Sequence, residues 1–446
     1  MIALNRFKVF IFNSLLLATS SLILQVIRLT FHIYVSNKIS PEALGIFQLI
    51  MVTYYFGITL ASSGVNISCI RVISEEFALN NDNGIKKASK KCIQISLLIS
   101  LLASLIFYFS SDNIVKCCLG NKVSHNVIYL ICIALPLISM SSALNGYFLA
   151  VRRVYKNVIG GFLEQISKIV AIILLFNNYC DFSLESICFS LILADVISEI
   201  ISFVYLIIVY IFDIRYHFST FCATRLERYV FRILRILFPV AITSYIKSGL
   251  SSFKQLIIPS SLQKYGKSPS ESLSEYGIIT GMAMPIVMFP SSFIIAVASL
   301  LIPEFSRYYI KNDYKKIRLY TDKLLVGTFL FSLVITLFFC IFGNYLGQLI
   351  YHSLEAGIYI KIFSLLIPFM YVDIIIDNIL KGLDAQSDVM IINIIDLIVS
   401  TTFIFLFVPI LGIKGFIISI FISEILNLSL SLNTLLKLCY LGTGIF

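Results

Sequence analysis

The chain has 446 residues, of which 59% are hydrophobic and only 13% are charged. Soluble domains have about 45–50% apolar and about 25% charged residues, so this composition excludes a soluble enzyme, a disordered protein and a fibrous protein. Most of the chain is expected to lie in lipid, where about 20 apolar residues span a bilayer as a helix.

Twelve charge-poor runs are long enough to cross a membrane as α-helices. These predicted spans 1 to 12 cover residues 9–37, 43–70, 92–111, 126–151, 157–178, 184–212, 236–263, 276–303, 324–350, 358–380, 389–411 and 415–436. A transmembrane β-barrel would instead show short alternating segments, and the second span has no charged residue at all. The sequence therefore predicts an all-α integral membrane protein.

The basic residues predict which side of the membrane each connection faces. Of the 34 Lys and Arg residues, 23 lie in the two termini and the even-numbered connections, 7 lie in the odd-numbered connections and 4 lie inside spans. Basic residues gather on the cytoplasmic side, so we expect both termini in the cytoplasm. Basic residues that face anionic membrane lipids explain the net charge of +10, so no nucleic-acid partner is expected.

No cofactor or metal site is predicted. The ten Cys residues are scattered, only four His are present, and the chain has no Cys-x-x-Cys or His-Glu-x-x-His motif.

The two halves of the chain resemble each other weakly. Four pairs are separated by 232 positions, and Ile197–Ile200 recurs 225 positions later as Ile422–Ile425; the four pairs are Gly45 with Gly277, Ser74 with Ser306, Pro136 with Pro368, and Glu164 with Asp396. The offset covers six spans, an even number, so the halves form two parallel repeats, as in many secondary transporters. We predict an N-lobe at 1–215, a cytoplasmic linker at 216–235 and a C-lobe at 236–446, with alternating access to a cavity between the lobes.

Several acidic residues lie within spans, where ionisable groups are costly and face protein or water. Glu164 and Lys168 are one turn apart and are expected to pair with each other. Asp373 and Asp377 share one face of span 10 and are candidates for binding a coupling Na⁺ or H⁺. The other acids have either a helix-packing or a functional role; they are Asp195, Glu199, Asp396 and Glu424.

Three cations within spans point to an anionic substrate. Arg28 in span 1 and Lys254 in span 7 lie at similar depth in equivalent spans, Lys247 lies two turns before Lys254, and neither span contains an acid. Arg and Lys clusters commonly bind phosphate or pyrophosphate. We therefore expect the three cations to face a cavity that binds an anionic headgroup; the alternative is that they snorkel or pair with acids of other helices.

Span 8 is a candidate bending element, because Gly277, Gly281, Pro285 and Pro290 all fall in or near its first half. A proline inside a span removes a backbone donor and frees a carbonyl group.

Several motifs resemble those of one transporter family. They are Tyr276-Gly-Ile-Ile-Thr-Gly-Met-Ala-Met-Pro, Pro290-Ser-Ser, Ala298-Ser-Leu-Leu-Ile-Pro-Glu-Phe-Ser, Gln255-Leu-Ile-Ile-Pro, Gly45-Ile-Phe-Gln-Leu-Ile, Asn145-Gly-Tyr-Phe, Glu164-Gln and Ile379-Leu-Lys-Gly-Leu. With them the chain resembles the stage V sporulation protein B-like polysaccharide flippases of the multidrug/oligosaccharidyl-lipid/polysaccharide exporter superfamily.

The resemblance implies a two-lobe flippase that moves an undecaprenyl-pyrophosphate-linked saccharide, a peptidoglycan or polysaccharide precursor, across the bacterial plasma membrane for spore cortex or envelope formation. Arg28 occupies the position of the span 1 arginine that lipid II flippases of the superfamily use in their cavity. Lys254 departs from the pattern, because sporulation relatives tend to have an acid there. We expect a monomer without enzymatic activity.

Three alternatives stay open. A cation-coupled multidrug exporter of the same fold usually needs an acid in its first helix, where this chain has Arg28. A membrane-embedded transferase would need a nucleophile–base pair or an Asp-rich loop, and the short basic connections offer no candidate. The sequence also leaves open an inert assembly protein.

Overall fold

The computed structural model describes residues 2–120, 122–178, 183–217 and 229–440. Within these ranges every regular element is a helix, and two π-helical segments occur at Ile114–Cys118 and Ile278–Ala283. The α-helices are α1 (Ile2–Lys38), α2 (Pro41–Ser62), α3 (Val65–Ala78), α4 (Asp82–Phe109), α5 (Ser111–Asn113), α6 (His125–Ala150), α7 (Val154–Asn178), α8 (Leu184–His217), α9 (Tyr229–Lys264), α10 (Pro269–Gly277), α11 (Met284–Met288), α12 (Ser291–Ile310), α13 (Tyr314–Tyr351), α14 (Leu354–Ser364), α15 (Ile367–Gly382), α16 (Gln386–Leu411) and α17 (Ile413–Tyr440).

The helices confirm the predicted all-α membrane fold. By length and hydropathy, ten helices of the described residues could each cross a membrane. The helices α14 and α15, which meet at a bend of 53°, add an eleventh if the pair is one span. The 37-residue α1 covers the predicted span 1. The protein is therefore a multi-pass membrane protein.

Two proline positions show the internal repeat at the level of hydrogen bonds. Pro136 lies inside α6, so the carbonyl of Cys132 loses its helical donor; the hydroxyl of Ser104 on α4 donates to that carbonyl instead, at 2.8 Å. The second half repeats the arrangement 232 positions later. There Pro368 lies in the first turn of α15, and Thr336 on α13 donates to the carbonyl of Ser364 at 3.1 Å.

Span 8, predicted at 276–303, is interrupted, as its glycines and prolines suggest. The helix α10 passes into the π-helical segment Ile278–Ala283, and α11 ends just before Pro290. Pro285 cannot donate a hydrogen bond to the carbonyl of Gly281, and Gly281 lies within the π-helical segment. The continuous helix predicted here is therefore wrong in detail, and the predicted bending element is a real break.

The contacts divide the chain into two compact units. Unit 1 consists of Met1–Arg28 and Leu49–Ser252, and unit 2 consists of Leu29–Gln48 and Phe253–Phe446. Each of α1, α2 and α9 therefore contributes residues to both units. The predicted lobe boundaries stay a prediction, and residues 218–228 of the predicted linker lie outside the described ranges.

A buried carboxylate ties helix ends together in unit 1. The side chain of Asp213, at the end of α8, has 0% exposure and pairs with both Arg153 and Lys156 at the start of α7. Tyr147 of α6 donates its hydroxyl to the same carboxylate at 2.7 Å. Two of the basic residues that the sequence assigns to topology thus also neutralise a buried acid.

In unit 2, α2 packs against α10 through glycine. A Cβ atom on Gly45 would overlap the carbonyl of Leu273, and one on Gly277 would overlap the backbone of Pro41 and Gly45. The two glycines that the repeat relates by 232 positions therefore lie in direct backbone contact, a distance that any larger residue would prevent.

Candidate functional site

The predicted charged residues of unit 1 come together as one group. We call Arg28 on α1, Glu164 and Lys168 on α7, and Asp195 and Glu199 on α8 the unit 1 charge cluster. Glu164 and Lys168 are one helical turn apart, as are Asp195 and Glu199, so each pair shares a face of its helix. Glu164 interacts electrostatically with Arg28, Lys168 and Asp195, and Glu199 interacts with Glu164, Asp195 and Lys168.

The ion pair of this cluster differs from the one predicted. Lys168 Nζ pairs with Asp195 Oδ1 of α8, whereas the sequence predicted a pair with Glu164 on the same helix. Asp195 is buried and Glu164 is half-buried. Because a buried carboxylate loses more hydration, it gains more from direct contact with a cation.

Unit 2 contains a second group, the unit 2 charge cluster, formed by Lys254 on α9, Asp373 on α15, Asp396 on α16 and Glu424 on α17. Lys254 interacts electrostatically with Asp396 and Glu424, and Glu424 interacts with Asp396 and Asp373. The predicted intramembrane residues of this half are thus near one another, although they come from four helices.

The two clusters share one pattern. Each combines a cation from the first membrane span of its repeat with one acid from the fifth span and one from the sixth. In unit 1 these are Arg28 on α1, Glu164 on α7 and Glu199 on α8. In unit 2 they are Lys254 on α9, Asp396 on α16 and Glu424 on α17. The Lys168–Asp195 pair has no counterpart in unit 2, because the equivalent positions there hold Ser400 and Ile420. Unit 1 therefore has one ion pair that unit 2 lacks.

The three predicted substrate-binding cations differ in exposure. Arg28 and Lys247 are exposed and Lys254 is half-buried. Within the described ranges, neither Arg28 nor Lys254 has an acidic oxygen within 4 Å, but acids of other helices act on both at longer range. Acids of other helices therefore act on Arg28 and Lys254 without direct contact. The shared role of the three cations in headgroup binding stays a prediction.

The two candidate ion-coupling acids lie on α15, one turn apart. Asp377 is 4.0 Å from Lys381, whereas Asp373 is buried and accepts a hydrogen bond of 2.8 Å from Asn427 Nδ2 through its Oδ2. Asp373 Oδ1 and Asn427 Oδ1 are both buried and have no hydrogen bond of ordinary geometry in the part of the chain that the structure describes, and the hydroxyl of Ser431 on α17 lies near Asp373. Two oxygen atoms are thus available to a proton or a small cation.

Sequence reasoning missed the polar residues of α17. Ser423 donates its hydroxyl to Asp396, and Asn427 holds Asp373. A signal was present, because Ser419, Ser423, Asn427 and Ser431 recur every four residues in an apolar helix, which places them on one face.

Comparisons with known proteins give the same picture as the fold. Stage V sporulation protein B of Bacillus subtilis (strain 168) is 20% identical over 436 residues, which is 96% of this chain and 84% of that protein. The structure of a multidrug resistance MATE family transporter of the MOP superfamily, in its inward-facing conformation, superposes with a TM-score of 0.72 at 14% identity, covering 96% of this chain and 100% of that one.

A second solved structure, the lipid II flippase MurJ in an inward closed conformation, superposes with a TM-score of 0.69 at 13% identity, covering 94% of this chain and 87% of that one. These likenesses confirm the MATE-like transporter fold. The MatE family pattern matches residues 239–406, and the pattern described as "Polysaccharide biosynthesis protein" matches residues 10–309. The chain belongs to this polysaccharide biosynthesis protein family, as its motifs predicted.

Proposed function

We propose that the protein is a flippase that moves an undecaprenyl-pyrophosphate-linked saccharide across the bacterial plasma membrane by alternating access. The cargo would be a peptidoglycan or polysaccharide precursor, and the setting spore cortex or envelope formation. The family and the likeness to a sporulation protein support this proposal. In it the protein acts as a monomer, keeps both termini in the cytoplasm and performs transport without catalysis.

The observation that carries the proposal is the exposed guanidinium of Arg28 within α1. A charge at this depth is costly unless it meets water, a counter-ion or a ligand. A pyrophosphate group can accept bidentate hydrogen bonds from Arg and point-charge contacts from Lys. We therefore assign headgroup binding to Arg28, Lys247 and Lys254, while the polyprenyl tail stays in lipid.

The test is translocation of a fluorescent lipid-linked saccharide in liposomes that contain the purified protein. Arg28→Ala and Lys254→Ala should each abolish translocation at unchanged protein level. Lys38→Ala and Lys264→Ala are matched controls, because these lysines are exposed and end the same two helices, α1 and α9; both should flip at the normal rate. Normal flipping by both cavity variants would remove the cations from the proposal, and an inactive wild-type protein would contradict the flippase itself.

Energy for the cycle would come from a cation. We propose that H⁺ or Na⁺ binds at Asp373, with Asp377 one turn away, because Asp373 Oδ1 and Asn427 Oδ1 are buried acceptors without a hydrogen bond of ordinary geometry among the described residues. Asp373→Asn should retain substrate binding and lose the dependence of transport on the ion gradient. The same acids would serve a cation-coupled multidrug exporter, so efflux of cationic dyes by the wild-type protein, together with no flipping, would favour that second function.

A further inference from the structure

The unit 1 charge cluster contains more acids than cations. Three carboxyl groups face two cations, and the phenol of Tyr54 on α2 lies close enough to interact with all three acids. A carboxylate without a compensating charge is costly at this depth in the membrane. When both cations serve the cluster, its charges therefore balance with one proton on its carboxyl groups.

The two cations of the cluster are held differently. Lys168 is committed to Asp195 by direct contact, and Asp195 keeps a second buried oxygen, Oδ2, that lacks a hydrogen-bond partner within the described ranges. Arg28 is exposed and has no acidic oxygen within 4 Å in those ranges, yet its charge acts on Glu164. Arg28 is thus the cation that a ligand can recruit without breaking an ion pair.

Recruiting Arg28 changes the charge balance of the cluster. An anionic headgroup that binds the guanidinium neutralises the charge that stabilises the Glu164 carboxylate, and it adds negative charge nearby. Lys168 then remains as the cation serving Glu164, Asp195 and Glu199. The cluster can restore its balance by taking one proton from water, with no bond of the substrate made or broken.

We propose that binding of a polyprenyl pyrophosphate headgroup at Arg28 drives uptake of one proton by the unit 1 charge cluster, at Glu164 or the neighbouring Glu199. The inference rests on the proposed function, since it takes Arg28 as a headgroup ligand. It adds a proton site in unit 1 that is separate from Asp373 in unit 2. Because linkage is reciprocal, uptake of one proton makes binding about tenfold tighter for each unit by which pH falls.

The charged and titratable groups around Glu164 determine its charge balance. They are Arg28 from α1, Tyr54 from α2, Lys168 on α7 itself and Asp195 and Glu199 from α8. Among these, Arg28 and Lys168 are cations, and Asp195 and Glu199 are acids. A ligand that neutralises Arg28 therefore leaves Lys168 as the one cation among the named groups.

The test is calorimetric titration of the full-length protein in detergent with farnesyl pyrophosphate, in two buffers with different ionisation enthalpies. The difference in apparent binding enthalpy gives the number of protons taken up. We expect about one proton per ligand for the wild type and less than half of that for the double variant Glu164→Gln/Glu199→Gln, in which Asp195 alone of the three acids faces Lys168; folding is checked by thermal unfolding. Each single variant, with two acids left, should still take up about one proton. Glu185→Gln is the control, because Glu185 is an exposed acid near the start of α8; its uptake should equal that of the wild type.

The outcomes separate the two proposals. Binding without proton uptake overturns the coupling and leaves headgroup binding intact. Unchanged uptake in the double variant Glu164→Gln/Glu199→Gln overturns the assignment to this cluster. No binding by the wild type, or undiminished binding by Arg28→Ala, overturns the headgroup role of Arg28 and the coupling with it.

Discussion

The hydroxyl of Ser104 donates a 2.8 Å hydrogen bond to the carbonyl of Cys132, the group that Pro136 leaves without its helical donor. In the second half, Thr336 does the same for Ser364. Side-chain hydroxyls are among the groups that let a membrane helix tolerate proline. The sequence shows both prolines at equivalent positions, and the structure shows that their hydroxyl partners are equivalent as well.

Replacing Ser104 by Ala should destabilise the protein by about 1 kcal/mol, because a buried carbonyl then lacks a donor. Thermal unfolding in detergent measures the loss. Pro136→Ala supplies the missing N–H, so Ser104→Ala should cost less in that background. Equal losses in both backgrounds would show that the hydroxyl does not compensate for the proline.

Asp213→Asn should destabilise the protein strongly, by about 3 kcal/mol, since removing one member of a buried ion pair leaves the other uncompensated. The lower end of the usual range applies because Arg153 keeps 22% exposure. Asp112→Asn is the control: this acid pairs with His125 but is 74% exposed, and exposed pairs contribute about 0–1 kcal/mol. Similar unfolding temperatures for the two variants would contradict the role of Asp213.

Gly45→Ala should weaken the packing of α2 on α10, because the added methyl group would overlap the backbone of Leu273. Gly327→Ala provides a matched control within the membrane helix α13, where a Cβ atom meets nothing within 4 Å. Alanine there should be neutral or stabilising by up to about 1 kcal/mol, since glycine is a poor residue inside helices. If both variants unfold at the same temperature, the close approach at Gly45 is not needed.

The start of α10 should be sensitive to acid. The backbone N–H of Ser268 and its hydroxyl donate to Glu271 and hold the pKa of that carboxyl below its usual range. A lowered pKa stabilises the folded state above the unfolded pKa, and this stabilisation is lost as pH falls through the folded pKa. The difference in unfolding temperature between wild type and Glu271→Gln should therefore shrink between neutral and acidic pH; a constant difference would contradict the charged cap.

Local patterns in the sequence predict much of this fold. The apolar runs predict the spans. The offset of 232 positions between Pro136 and Pro368 covers an even number of spans and so predicts two parallel repeats. Pro285 and Gly281 mark the break in span 8. Each of these signals depends on residues a few positions apart or on the period of the whole chain. Signals of this kind can be read from one sequence without knowing which helices pack together.

Partners across helices were harder to predict. Lys168 has an acid one turn away on its own helix, yet it pairs with Asp195 of the next one, because burial decides which carboxylate needs the cation most. Asn427 and Asp373 come from α17 and α15, and nothing in local spacing tells which helices become neighbours. The charged residues could be listed from sequence, but their grouping into two clusters required the packed helices.

The separation of Arg28 from its cluster along the chain affects how the protein is made. Synthesis runs from the N-terminus, so α1 reaches the membrane with its arginine long before α7 and α8 exist to supply Glu164 and Asp195. An arginine in an isolated helix makes insertion of that helix more costly. We therefore expect stable insertion of α1 to depend on α7 and α8, the two later helices of its own repeat that carry the compensating acids.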